Sequence, residues 1–198
     1  MKYAVWLVVA LAQLAGLPMA SAETARIRGT LIEFDVSKIT VAKRDGGVEP
    51  IGIDSNTRYL SVTPVGIDAI KPGSYIGVAG LPQADGTIKA LGVMVFPEQA
   101  RGMNEGSFPW DLQPESTMTN ATVAKVETAA SGREVQVTYK GGSQTIEIVD
   151  AGAIASFAPA SESALVEGAK VTVFVEQGAG LPTARSVLVG KDGFTPPN

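Results

Sequence analysis

Four carboxylates, Glu33, Asp35, Asp111 and Glu115, are the residues from which acid–base chemistry could be built in this chain. A carboxylate pair can protonate a leaving oxygen and activate water at a glycosidic bond. Their spacing matches no such pairing, and they read as solvated charges on an acidic surface. The sequence contains no histidine and no cysteine. That excludes thiol nucleophiles and Ser-His-Asp or Cys-His mechanisms, and it removes the usual zinc and copper ligands. No S-x-x-K spacing supports a Ser-Lys dyad. No phosphate-cradling G-x-x-x-x-G-K-[ST] loop or dinucleotide G-x-G-x-x-G is present. Asp54-Ser55-Asn56 has the oxygen ligands of a calcium loop but lacks its glycine and terminal glutamate, so a turn is expected. Asn120-Ala121-Thr122 fits a glycosylation acceptor and reads as a strand start. Lys43-Arg44, Arg26 and Arg28 are too sparse for a basic patch and are expected on a barrel exterior.

The remaining candidates lie in "RGMNEGSFPWDLQPESTMTN", residues 101–120. This stretch has almost no apolar alternation, yet it holds Trp110. Three readings are open. Phe108-Pro109-Trp110 fills a groove between two domains, with Asp111 capping a turn and Leu112 and Met118 packing around it. Alternatively, Arg101, Asn104, Trp110 and Asp111 form an exposed partner-binding loop, since loops carry function and tryptophan is favoured at hot spots. Plain disorder is the third. Tyr59 and Phe157 are a further pair, expected either to plug a barrel bottom or to offer a ligand platform.

The elements that must position these residues are written twice. "SKITVAKRDGGVEPIGID" and "GREVQVTYKGGSQTIEIVD" both read strand, Gly-Gly turn, strand. Leu31 and Phe34 match Val123 and Val126 at an offset of 92; Ile39 and Val41 match Val135 and Val137 at 96; Ile51 and Ile53 match Ile146 and Ile148 at 95. Ile76 and Val78 match Val171 and Val173 at 95, and Val93 and Val95 match Val187 and Val189 at 94. A constant order with a drifting offset indicates a duplicated domain with small insertions. Apolar residues alternate in each run, which places them on one face of a strand. Gly46-Gly47 and Asp85-Gly86 signal hairpins. Strands are expected near 26–34, 38–44, 48–53, 74–80 and 87–96, and near 121–127, 133–140, 143–149, 169–176 and 183–190. A longer connection after the third strand of each half is expected to be a short helical turn or a folded loop. The fold class is therefore all-β: two tandem five-stranded OB-like barrels joined by an ordered linker, with a five-stranded sandwich or open meander as the alternative.

Each half resembles the domain-of-unknown-function family 5666 of small exported bacterial β-barrels. The carrying residues are "IKPGSYIGVAGLPQADGTIKALGVMV" and "LVEGAKVTVFVEQGAGLPTARSVLV". The linker "PWDLQPESTMTNATV" resembles one in short alphaproteobacterial proteins that carry a metal-transporter name. Relatives of that linker bear a histidine; Gly106-Ser107-Phe108 stands in that region here, and no transport activity is carried over.

Lys2, the apolar run Ala4 to Gly16 and Ala20-Ser21-Ala22 read as a signal peptide over residues 1–22, cleaved before Glu23. The expected organisation is a first barrel over 23–97, a linker over 98–119, a second barrel over 120–192 and a tail over 193–198. The formal charge is −4, and loss of Lys2 makes it −5. An acidic exported chain is a poor candidate for nucleic acid or an anionic membrane surface. The expected function is a non-enzymatic periplasmic binding or adaptor protein with an unidentified envelope partner, no cofactor, no catalytic residue and no metal site. The alternative is a small-ligand carrier for a hard metal ion or an envelope glycan.

Overall fold

The computed structural model describes residues 24–129, 132–149, 153–178 and 180–197. The expected signal peptide lies outside the described residues. The first half contributes β1 (Thr24–Phe34), β2 (Lys38–Lys43), β3 (Val48–Gly52), β4 (Arg58–Pro64), β5 (Tyr75–Pro82) and β6 (Ile88–Val95). A short β7 (Gly106–Pro109) follows. The second half contributes β8 (Thr117–Ala129), β9 (Gly132–Tyr139), β10 (Gly142–Val149), β11 (Ala153–Ala160), β12 (Lys170–Glu176) and β13 (Thr183–Gly190). All belong to one mixed 13-stranded sheet. The helical pieces among the described residues are three-residue 3-10 turns.

The all-β expectation holds, but the strands do not sort by half. β1 pairs antiparallel with β2 and with β12, β2 with β3, and β12 with β13. β13 touches β3 in parallel at Thr183↔Gly52, which completes a circuit of five. The complementary circuit is β8–β9–β10–β6–β5, completed by the parallel pair Ile146↔Ile88 and by β5 against β8. Each circuit thus takes three consecutive strands from one half and two from the other. The expected tandem division at 23–97 and 120–192 follows chain order, whereas the hydrogen bonds cross it. The physical reason is that equivalent strands share one apolar alternation, so β12 offers β1 the same inward face that β5 would.

The inward faces are the alternating residues. Leu31, Ile39, Val41, Ile51, Val171, Val173 and Val187 form one buried core. Ile76, Val78, Val93, Val123, Val135, Val137 and Ile146 form the other. Burial of a valine or isoleucine contributes about 1.5–3 kcal/mol relative to exposure, so these two clusters supply most of the drive for folding.

β4 and β11 lie in the connections expected to be helical turns or loops. The helical turns are present, at Ile67–Ala69 and Glu162–Ala164, but each follows a strand. β4 and β11 pair antiparallel with each other, and β4 runs parallel to β13 as β11 does to β6. They carry the chain from one circuit to the other. At the offset of 95, the pair Val62↔Phe157 maps onto itself, so the pseudo-twofold axis passes there. A third buried cluster, Val62, Met94, Ala155 and Leu188, sits at this junction with Phe96, Phe157 and Phe174 against it. Phe157 is edge-to-face with Phe96 at 5.2 Å, within this junction. Tyr59 packs on the first core instead. By register, Tyr59 is equivalent to Ile154, not to Phe157.

Candidate functional site

The linker is ordered by its own backbone. The 3-10 turn Glu98–Ala100 starts it, and β7 pairs with β8 from Gly106↔Asn120 to Pro109↔Thr117. Ser116 closes the turn that follows. Its hydroxyl accepts from the Gln113 N–H at 3.2 Å, and the Trp110 N–H donates to the Ser116 carbonyl at 2.8 Å. Asp111 does not cap this turn.

Asp111 reaches across to β1. Its Oδ1 accepts from Arg26 Nε and from an Arg28 guanidinium nitrogen, both at 2.8 Å. Burial pushes this carboxyl up, but the Arg28 hydrogen bond and the two positive charges outweigh it, so it sits below the usual carboxylate range. The Arg26 guanidinium also lies over the Trp110 ring, 3.9 Å from its centroid. Trp110 is half-buried between Phe108 at 6.0 Å and Phe174 at 6.4 Å. Phe108 belongs to a strand paired with β8, whereas Arg26 and Phe174 are cross-strand partners on β1 and β12. The odd segment therefore bolts one circuit to the other.

Arg101 and Asn104 have other partners. Arg101 is held by Glu98, with Nε 2.5 Å from Oε1, and donates to the Gly73 carbonyl at 2.8 Å. Asn104 adopts φ 48° and its carbonyl accepts from the buried Asn120 side chain at 3.0 Å. The adjacent Met103 carbonyl accepts from the Tyr75 hydroxyl at 3.1 Å. Burial, with Glu105 adding, pushes that phenol up to about 12. So the structure brings Trp110 and Asp111 together on Arg26, and it places Arg101 and Asn104 on contacts of the second circuit.

Asp35 and Asp54 hold turns. Asp35 accepts from the Ser37 and Lys38 backbone at 2.7 and 3.0 Å, and these bonds hold it below the usual range. Asp54 accepts from the Asn56 N–H at 2.8 Å, as an Asx turn does, in agreement with the turn expected there. Among the described residues, no group of three or more Asp or Glu side chains lies together.

The outer faces of the two circuits are equivalent in register and unlike in chemistry. In the first, Thr30↔Ala42↔Val48 and Glu33↔Thr40↔Pro50 form cross-strand rows, with Ile32 the extra residue of a β-bulge. In the second, Thr122↔Thr138↔Ser143 and Lys125↔Gln136↔Thr145 form the same rows, with Ala124 the extra residue of the matching bulge. A cleft of about 540 Å³ runs over the second face, lined on the outward side by Ala124, Gln136, Thr138, Ser143 and Thr145. Gln144 is the cross-strand partner of buried Val137, so its side chain turns to the opposite face, where Oε1 accepts from Thr119 Oγ1 at 2.9 Å. The first face has valine, proline, alanine and isoleucine in place of serine, two threonines and alanine. Sequence reasoning passed over both faces, because each strand read alone shows only its buried alternation. Comparing the outward residues of the two repeats would have found them.

No family model matches the chain, and no curated protein or solved structure matches it either.

Proposed function

We propose that this is a non-enzymatic periplasmic binding or adaptor protein whose two circuits are OB-like barrels, each assembled from both halves of the chain. Support for the barrels is the pairing order: the first strand pairs with the second and fourth of its circuit, and the third runs parallel to the fifth. The proposed kinship with the domain-of-unknown-function family 5666 rests on the repeated strand pattern. Periplasmic location rests on the signal-peptide features of residues 1–22.

The observation that carries the binding role is the cleft on the second outer face. Four neutral hydrogen-bonding side chains line it, Gln136, Thr138, Ser143 and Thr145, on strands held by continuous pairing. Such a surface recognises polar, uncharged groups without a large desolvation cost. It suits an extended segment of an envelope protein, read by side-chain amides and hydroxyls. The same lining favours the carrier alternative in its glycan form over its hard-cation form, which needs several anionic oxygens. A photo-crosslinking residue in place of Ser143, in cells, tests the reading. A discrete protein adduct supports the adaptor. An adduct to glycan alone selects the carrier. Turnover of a substrate by the purified chain, abolished by one carboxylate or Ser/Lys change, would overturn both.

A further inference from the structure

We propose that the edge of β1 at Arg26 takes an extended, acidic segment of a partner protein as an added strand, in the place that β7 fills on β8. Matching hydrogen bonds fix the equivalence of the two edges. The Leu31 N–H donates to the Ala169 carbonyl and the Gly168 N–H to the Leu31 carbonyl, at 2.9 and 2.8 Å. The Val123 N–H donates to the Ser74 carbonyl and the Gly73 N–H to the Val123 carbonyl, both at 2.8 Å. Leu31 thus stands for Val123, and at the same offset of 92 Arg26 and Arg28 stand for Met118 and Asn120. Leu31 turns its backbone groups to the β12 side, so by alternation Arg26 and Arg28 turn theirs to the other edge. There the Arg44 N–H closes on the Arg28 carbonyl at 3.1 Å, just past the end of β2. Before Arg28, no strand among the described residues pairs with that edge. On β8 the same edge is paired with β7, from Gly106↔Asn120 to Pro109↔Thr117. The offset of 92 carries Gly106–Pro109 onto residues 14–17, inside the expected signal peptide. On that reading the exported chain has no strand of its own for the place.

The charges select the segment. Side chains alternate, so Arg26, Arg28 and Thr30 share the outer face of β1. On β12 they meet Phe174, Thr172 and Lys170, and on the other side Arg28 lies across from Arg44 and Thr30 from Ala42. Three consecutive rows thus hold four cations. Lys170 donates to Thr30 Oγ1 at 2.8 Å, and Asp111 bonds Arg26 and Arg28. Arg44 is exposed at the rim, where burial of its stem and the Arg28 charge hold its guanidinium below its ordinary value. The next carboxylate along the face, Glu33, lies past the bulge at Ile32, in the Thr40 row. Like charges directly opposite each other repel, and a second carboxylate between Arg28 and Arg44 relieves this. The second circuit already has a carboxylate in that place: Glu105 Oε1 accepts from the N–H of Lys140, the equivalent of Arg44, at 3.1 Å. An antiparallel strand on β1 sets the residues opposite Arg26 and Arg28 on their face, so carboxylates at alternate positions fit. Backbone pairing supplies affinity in such strand addition, and the alternate side chains supply specificity.

The test is fluorescence anisotropy of a labelled peptide of about eight residues, alternating glutamate and threonine, titrated with the chain starting at Glu23. Binding with a Kd of ~10–100 μM is expected, and the same peptide with lysine for glutamate should not bind. Arg44→Glu should weaken binding by ~10-fold or more. Lys140→Glu, at the equivalent position where β7 already fills the edge, should leave it unchanged. N-methylation of one alternate set of peptide amides should abolish binding and of the other set should leave it, since only one set faces β1. This last comparison uses the wild-type chain, so it does not depend on how R44E folds. The Arg26 amide should exchange more slowly in the complex. A chain that shows no binding at ~1 mM, binding kept by R44E, or binding that responds alike to methylation of either set overturns the proposal. Crosslinking at Ser143 is read separately, so a chain that ignores this peptide and still forms that adduct loses the added strand and keeps the binding role.

Discussion

The Arg26 guanidinium lies 3.9 Å from the centroid of the Trp110 ring, and the two residues belong to different structural units of the chain. Arg26 sits on the first strand, paired with β12. Trp110 follows a strand hydrogen-bonded to β8. The contact ties the linker to both circuits, so Trp110 should behave as a structural group. In the chain starting at Glu23 it is the sole tryptophan. Its emission should be blue-shifted relative to the unfolded chain and protected from acrylamide. Trp110→Ala should destabilise by about 2–3 kcal/mol in urea unfolding, less than for a fully buried tryptophan. A red, freely quenched emission would show that the ring is held in water.

The Asp111 pair makes stability depend on acid. Its carboxyl is held below the usual range in the folded chain, so the sign is fixed. The contribution is full above the unfolded carboxylate pKa, near 3.9, and is lost as pH falls through the lower folded value. The Asp111 side chain is 42% exposed, so solvent screens the pair and about 1 kcal/mol is expected from it. Asp111→Asn should be less stable than wild type by that amount at pH 6. The difference should shrink as pH falls below about 3.9 and vanish below the lower folded value. A gap that persists unchanged at low pH would assign the loss to packing.

Exchange of strands between the halves makes a prediction about coupling. Val173→Ala removes methyls from the first core, which second-half β12 shares with β1, β2 and β3. The cost should be about 1–3 kcal/mol. In native-state hydrogen exchange, amides of β1 to β3 should lose protection together with β12. If the loss followed β8 to β10 instead, the pairing of β1 with β12 would be wrong.

Gly77 tests the packing under the linker. A Cβ there would stand 2.6 Å from Asn120 Oδ1 and 2.8 Å from a Phe96 ring carbon. Gly77→Ala should therefore destabilise by about 1–3 kcal/mol, as overpacking does. Its register equivalent on β12 is Thr172, which carries a Cβ already. The requirement is local to the second circuit, and a melt of G77A alongside T172A checks it.

Ten of the strands were legible because burial on one face leaves a period of two in Ile, Val and Leu. The repeat was legible because its insertions fall at turns while its bulges match; the offset of 92 for Leu31 and Val123 becomes 96 across the equivalent connections before Ile39 and Val135. β4 and β11 were not, since "RYLSVTP" and "AIASFAPA" lie at the junction, mix both faces and contain proline. The exchange of partners was invisible for a deeper reason. Val78 and Val173 present equivalent side chains to equivalent neighbours, so alternation cannot say which of them meets Val123 and which meets Leu31. The Asp111 contacts joined residues more than eighty positions apart, and no local pattern records them.

The crossing of strands also sets the order in which the molecule can be completed. β1, β2 and β3 emerge first in any vectorial delivery of the chain, but the strands that close their circuit are the last two. Until β12 and β13 arrive, β1 has one unpaired edge and the apolar faces of three strands have no lid. Contacts of such long sequence separation form slowly and leave strand edges open to wrong partners. The second circuit is under no such delay, since β5 and β6 are already waiting when β8 appears. All five of its strands have emerged once β10 has, before β12 and β13, so the N-terminal strands are the ones that wait longest for their partners.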